Sequence, residues 1–226
     1  MTRSSVVSNQ FAEWHDMDRN RAEPAARDES PRLQDETVGS SLPAHRPSPL
    51  IRNLAAYDNS GFDPGRRFFV RTLWYFLSLV LFESGWFPAS RPKSVILRLF
   101  GAKIGRGLVI RPNVRIKFPW KLSVGDHCWI GQEVWIDNLD HVLIGNNVCI
   151  SQGVYLCTGS HAHRSPTFEL RVKPIRVGDG VWLAAKSMIL QGVTVGDGAV
   201  VGAGNIVSNE LPTWTIVKVP RTTGHV

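Results

Sequence analysis

The residues best suited to chemistry gather where the chain's pattern is interrupted. His161, one of seven histidines, ends the run Leu156-Cys157-Thr158-Gly159-Ser160-His161 and opens a polar stretch. An imidazole titrates near neutral pH, so a histidine projected on a loop suits proton abstraction as a general base. His163 is the alternative base, or a group that orients the substrate. Asp137, Asn138 and Asp140 form a second polar group. A carboxylate there either orients the imidazole or binds substrate hydroxyls, and an Asp-Asn pair is equally a turn former. His127 and His141 follow Asp126 and Asp140 and read as surface polar residues at turns. The three cysteines, Cys128, Cys149 and Cys157, lack the spacing of a metal site and read as buried, reduced thiols, so no metal is expected.

A short period supplies the frame for these residues. Val177, Leu183, Ile189, Val195, Val201 and Val207 fall six apart, and the same phase recurs in threes: Ile104, Ile110, Ile116; Val124, Ile130, Ile136; Ile144, Ile150, Leu156. One inward aliphatic residue per six fits neither a helix nor a simple alternating hairpin. It fits a short strand and a turn, repeated, with three units to a triangular coil. Five coils are expected, stacked at about 4.8 Å into a prism about 24 Å tall. The register slips by two residues before Val124 and before Ile144, and by three between Leu156 and Val177. A loop carrying His161 must leave the prism at that third slip. Asp137, Asn138 and Asp140 fall one coil beneath it, and Trp182 faces outward beside the inward Leu183.

The hexads, the Leu156–His161 run, Val181-Trp182-Leu183-Ala184-Ala185, and Gly192-Val193-Thr194-Val195-Gly196-Asp197 before Val201-Gly202-Ala203-Gly204 resemble the hexapeptide-repeat acyltransferases. More narrowly, Leu99-Phe100-Gly101-Ala102-Lys103-Ile104-Gly105, Ile150-Ser151-Gln152-Gly153 and Arg164-Ser165-Pro166-Thr167-Phe168 resemble acetyltransferases of colanic acid and related exopolysaccharide biosynthesis. The resemblance implies a mainly β fold, a left-handed parallel β-helix. It also implies direct acetyl transfer from acetyl-CoA to a sugar hydroxyl, with His161 as base. Trp182 would flank the groove where pantetheine and acceptor meet. Ala185, Ala203 and Ser208 would line the CoA site, with the Ala185 amide as oxyanion donor. Active sites between neighbouring prisms imply a homotrimer. Asn209 stands where the family commonly has Lys, and the tail after Val217 departs from the family's; Lys218 and Arg221 are the substitute phosphate contacts.

The remainder of the chain is read from composition. Its 226 residues, 43% apolar and 20% charged, exclude collagen, coiled-coil and disulfide-scaffold classes. Residues 1–65 have the polar, aperiodic composition of a mostly disordered segment. Residues 66–121 carry 12 basic groups against the single acid Glu83, which favours phosphate or an anionic membrane as partner. A helix is expected from Arg66 to Phe87, stopped by Pro88, and a second from Lys93 to Phe100. Together, residues 66–100 either cap the open end of the prism or touch a membrane through their aromatic and basic residues. The prism is expected over 101–217, with a tail over 218–226. No export signal is seen and no nucleic-acid module is recognised, so a cytoplasmic protein, at the inner face of a membrane if it touches one, is expected. Two alternatives stay open: a non-catalytic β-helix scaffold, motivated by Asn209 and the tail, and an acyltransferase acting on an amine or amino acid.

Overall fold

The computed structural model describes residues 53–218. Six-residue units become short strands separated by turns, and three strands close each coil. The first coil holds β1 (Lys103–Ile104), β2 (Val109–Ile110) and β3 (Arg115–Ile116). The second holds β4 (Leu122–Val124), β5 (Trp129–Ile130) and β6 (Trp135–Asp137). The third holds β7 (Val142–Ile144), β8 (Cys149–Ile150) and β9 (Tyr155–Cys157). A hairpin of β10 (Gly159–His161) and β11 (Leu170–Val172) then leaves the prism. The fourth coil holds β12 (Ile175–Val177), β13 (Trp182–Leu183) and β14 (Met188–Ile189), and the fifth β15 (Thr194–Val195), β16 (Val200–Val201) and β17 (Ile206–Val207). Five coils were expected. An incomplete sixth adds a bridge from Leu211 to Val195 and β18 (Ile216–Val217) on β16.

Every pairing between coils is parallel. The first face stacks β1-β4-β7-β12-β15, the second β2-β5-β8-β13-β16-β18, and the third β3-β6-β9-β14-β17. One aliphatic column lines the inside of each face, such as Ile110, Ile130, Ile150, Leu183 and Val201, all at most 1% exposed. Each fully buried side chain of this size contributes about 1.5–3 kcal/mol.

The corner between the first and second faces is tied by a side-chain ladder. Asp126 Oδ1 accepts from the Arg106 N–H at 2.7 Å, Asn146 Oδ1 from Asp126 N–H at 2.9 Å, Asp179 Oδ1 from Asn146 N–H at 2.6 Å, and Asp197 Oδ1 from Asp179 N–H at 2.8 Å. The Arg106 N–H holds the Asp126 carboxyl below its ordinary range. Each acceptor sits where a Cβ on Gly105, Gly125, Gly145 or Gly178 would stand. That is why glycine follows the inward aliphatic residue here. Cys128 is buried in the core, and burial pushes its thiol up to about 11. Cys149 and Cys157 differ from the expectation: they are half-buried, at outward positions of the second and third faces.

Two helices close the first coil's open edge. Helix α1 (Phe68–Leu81) ends six residues before the expected Phe87. The cause is tertiary, because Phe82 is fully buried and its carbonyl accepts the Val114 N–H at 3.1 Å. Helix α2 (Ser90–Leu99) starts three residues earlier than expected, with Pro92 in its first turn, where no intrahelical N–H is needed. Side chains of both helices satisfy edge groups that a solenoid otherwise leaves open. The Trp74 indole donates to Ile116 O at 2.9 Å, Ser90 Oγ accepts from Ile110 N–H at 3.0 Å, and Arg98 donates to Ile104 O at 3.1 Å and Gly105 O at 2.7 Å. The capping role is therefore visible bond by bond.

The expected disorder of residues 1–52 lies outside the described residues. Residues 53–65, expected in the same segment, pack against the prism. Trp120 Nε1 donates to Pro64 O at 2.7 Å, Lys121 Nζ to Asp63 O at 2.8 Å, and Phe62 stacks on Phe118.

Candidate active site

The corner where the third face returns to the first absorbs every irregularity in the repeat. It takes a 3₁₀ turn at Pro119–Lys121 in the first coil and the β10–β11 hairpin in the third. His161 ends β10, opposite Leu170. Its Nδ1 lies 2.9 Å from Phe168 O, and its ring stacks on the Phe168 ring with centroids 4.4 Å apart and planes 3° from parallel. A carbonyl oxygen only accepts, so Nδ1 carries a proton, and the tautomer this bond selects for the neutral ring has its lone pair on Nε2. Tyr57 closes on the same imidazole at 5.9 Å between centroids, and the Asn53 N–H donates to Pro166 O at 2.9 Å. Residues 53–57 thus strap the hairpin. Tyr57 carries no sequence signal of this role, lying in a polar, aperiodic stretch.

The polar group beneath the hairpin divides in two. Asn138 has no exposed surface; its Oδ1 accepts from Phe118 N–H at 3.0 Å and its Nδ2 donates to Phe118 O at 2.6 Å. It braces the corner and has no surface for a substrate. Asp137 faces outward from the third face, with Lys117 Nζ at 3.0 Å and the Tyr155 hydroxyl donating at 3.1 Å. Burial, then Cys157 and the Asp137 charge, push the Tyr155 phenol well above its ordinary value and keep it a donor. Asp140 turns back on its own chain, accepting from the His141 N–H at 2.7 Å. Thr158, fully buried, donates to Asp137 O at 2.9 Å and so ties the root of the hairpin to the coil below. His163 is exposed between β10 and β11. His127 is an exposed corner residue with φ of 56°, and His141 is half-buried.

The remaining expected site residues lie elsewhere on the prism. Trp182 points outward from the second face, 48% exposed, and donates to Ser151 Oγ at 3.0 Å. Ala185 and Ala203 stack at the corner between the second and third faces, where the Gly204 N–H donates to Ala185 O at 3.0 Å. Ser208 and Asn209 are exposed on the return corner, two coils beyond the hairpin, and Lys218 is exposed after β18; Arg221 lies outside the described residues. In a triangular prism the return corner is opposite the second face. One chain therefore does not bring His161 to Trp182. Among the described residues, no group of three or more His, Cys, Asp or Glu side chains is placed to hold a metal ion.

Comparison with known proteins agrees with this architecture. Residues 174–209 match the family described as bacterial transferase hexapeptide (six repeats), and residues 121–157 the hexapeptide repeat of succinyl-transferase. The chain is 45% identical over 160 residues, 70% of its length and 86% of the relative's, to the Escherichia coli K12 protein named "Putative colanic acid biosynthesis acetyltransferase WcaF". It is 32% identical over 123 residues, 53% of its length and 60% of the relative's, to the galactoside O-acetyltransferase of the same organism. Among solved structures, it resembles a hexapeptide-repeat acetyltransferase of Vibrio cholerae in complex with acetyl-CoA. That match has a TM-score of 0.60 and 27% identity, over 66% of this chain and 82% of the other. A parallel prism of hexads, a histidine hairpin at its broken corner and these matches together place the chain in the hexapeptide-repeat acetyltransferase family.

Proposed function

We propose that the protein is an O-acetyltransferase that moves the acetyl group of acetyl-CoA to a sugar hydroxyl in polysaccharide biosynthesis, within a homotrimer. The observation that carries this reading is the bond from His161 Nδ1 to Phe168 O, which leaves Nε2 as an oriented base. The acceptor oxygen gives its proton to Nε2 as it attacks the thioester carbon. The Ala185 N–H donates to the resulting oxyanion. Collapse breaks the carbon–sulfur bond, and the imidazolium returns its proton to the leaving thiolate. Trp182, Ala203, Ser208, Asn209 and Lys218 line the CoA groove, while His163, Asp137 and Asp140 lie on the acceptor side. The similarity to a galactoside O-acetyltransferase supports a sugar acceptor.

Calorimetry with acetyl-CoA, then turnover with saccharide and amino-sugar acceptors, tests the reading. His161→Ala should lower turnover about a hundredfold or more with the fold intact, the usual scale of general base catalysis. Undiminished turnover in that variant excludes His161 as the base. Absence of acetyl-CoA binding favours the scaffold, and transfer only to amines changes the acceptor class.

A peripheral contact with an anionic bilayer is the second part of the reading. The outward arc of α1 is Phe68, Phe69, Leu73, Tyr75, Phe76, Leu79 and Val80, each 39–81% exposed, broken only by Thr72. Exposed Arg66, Arg67 and Arg91 flank it. Apolar residues with basic flanks are the composition of an interfacial helix. No described helix is long and apolar enough to cross a membrane. Sedimentation with vesicles containing phosphatidylglycerol should carry the chain down, and Phe69→Asp with Phe76→Asp should leave it in the supernatant.

A further inference from the structure

Between α1 and the third face lies a cleft of about 390 Å³ whose lining shares only Asp137 with the acetyl-transfer site. Its helical side is Arg71, Trp74, Tyr75 and Ser78, followed by Glu83. Its sheet side is formed by Arg115, Ile116 and Lys117 of the first coil, Phe118, and Trp135 and Asp137 of the second. The volume is in the range of small-molecule sites. Most of the wall is carbon, from Trp74, Tyr75, Phe118 and Trp135.

The charges in the cleft do not balance. Arg115 pairs with Glu83 at 3.5 Å and Lys117 with Asp137 at 3.0 Å. Arg71 is the third cation, and no third carboxylate lines the cleft. Its Nε is buried and, among the described residues, has no hydrogen-bond partner. A buried donor left without an acceptor is costly, and an anion entering the cleft would relieve that cost.

Position supplies the second half of the inference. Asp137, at the cleft's upper wall, pairs with Cys157 across one coil step, and the buried Thr158 ties that pair to the hairpin. His161 is four residues beyond Cys157, so the chain reaches it within about 14 Å at full extension. A short saccharide with its reacting hydroxyl at His161 spans that interval.

We propose that this cleft is a second acceptor subsite, which holds an acidic sugar unit with its anionic group on Arg71. The proposal rests on the sugar-acceptor reading above. The anion is either a carboxylate of a uronate or a phosphate ester, since both offer oxygens to a guanidinium.

Three probes test it by calorimetry on the full chain: methyl β-glucuronide, glucose 1-phosphate and methyl β-glucoside. At least one acidic probe should bind at least about tenfold more tightly than the neutral glucoside, the ratio expected for one charge-assisted bond. Tighter binding of the glucuronide assigns a carboxylate, and of the phosphate a phosphate ester. Arg71→Gln should remove the advantage, with melting temperature as the control for folding. On the wild-type chain, the indole N–H signals of Trp74 and Trp135 should shift on titration while those of Trp129 and Trp182 stay, which makes the test independent of any variant. Equal binding of all three probes overturns the proposal, as does an Arg71→Gln chain of normal stability that retains the preference. His161→Ala should bind the acidic probe as wild type does. Transfer to a neutral acceptor without acidic-probe binding therefore sinks the subsite alone, and acidic-probe binding without transfer to any acceptor sinks the acetyl-transfer reading and leaves the cleft an acidic-sugar site that is not an acceptor subsite.

Discussion

Phe168 is held with φ of 51°, in the left-handed region that a bulky side chain rarely enters. Such strain persists only where the surroundings determine it, and here the carbonyl and the ring of this one residue both engage His161. The carbonyl fixes the tautomer, and the ring fixes the plane. Removing the ring while keeping the backbone should let the imidazole turn away from its productive position, and a displacement of about 1 Å at a catalytic group can cost a hundredfold in rate. Phe168→Ala is therefore expected to lower kcat about tenfold to a hundredfold with KM for acetyl-CoA little changed, and Phe168→Tyr to restore most of it. A variant whose loss appears in KM alone would assign Phe168 to binding instead. Sequence spacing placed His161 at the interruption but gave no sign of this support. A partner seven residues away across a hairpin depends on the hairpin's register, which the interrupted hexads leave undetermined.

At the scale of elements, the repeat was legible because its burial is one-sided and regular: each inward column is set by one aliphatic residue per strand. The glycine after that residue, as at Gly105, Gly125, Gly145 and Gly178, is dictated by the neighbouring coil and not by local periodicity. Its reason is the carboxylate or amide of the next coil, which occupies the space a Cβ needs. Gly145→Ala would drive its Cβ into Asp179 Oδ1 and the Asp179 backbone N, whereas a Cβ on Gly180 meets open space and only the strain of φ at 67°. Overpacking typically costs about 1–3 kcal/mol, and a left-handed alanine about 1–2 kcal/mol. Because Gly145→Ala also breaks the Asp179 to Asn146 bond, its cost should stand about 1 kcal/mol or more above that of Gly180→Ala. Thermal denaturation of the two variants checks the order, and equal melting temperatures would remove the ladder from the account. What the sequence hid at this scale was long-range. Helix α1 stops because Phe82 gives its carbonyl to Val114, and residues 53–65 are fixed by Trp120 and Lys121 through backbone carbonyls. None of these three bonds leaves a trace in local periodicity or composition.

For the whole molecule, the decisive fact is the opposition between the return corner, which carries His161, and the second face, which carries Trp182. A prism of stacked coils is too regular to fold one onto the other. If both belong to one acetyl-transfer site, the hairpin of one copy must meet the second face of its neighbour, and every site is shared. Two kinds of damage are then complementary. His161→Ala removes the base and leaves the groove; Ala203→Trp, at an exposed corner position, fills the groove and leaves the base. Each variant alone should be inactive. Co-expressed, they form mixed assemblies in which some interfaces join an intact hairpin to an intact groove, so activity should return to the fraction set by random mixing. Purified variants mixed without exchange of subunits should stay inactive, which separates shared sites from contamination. Failure of mixed assemblies to recover activity would mean that base and groove meet within one chain, and that the hairpin turns across the prism in a way its root at Thr158 does not allow.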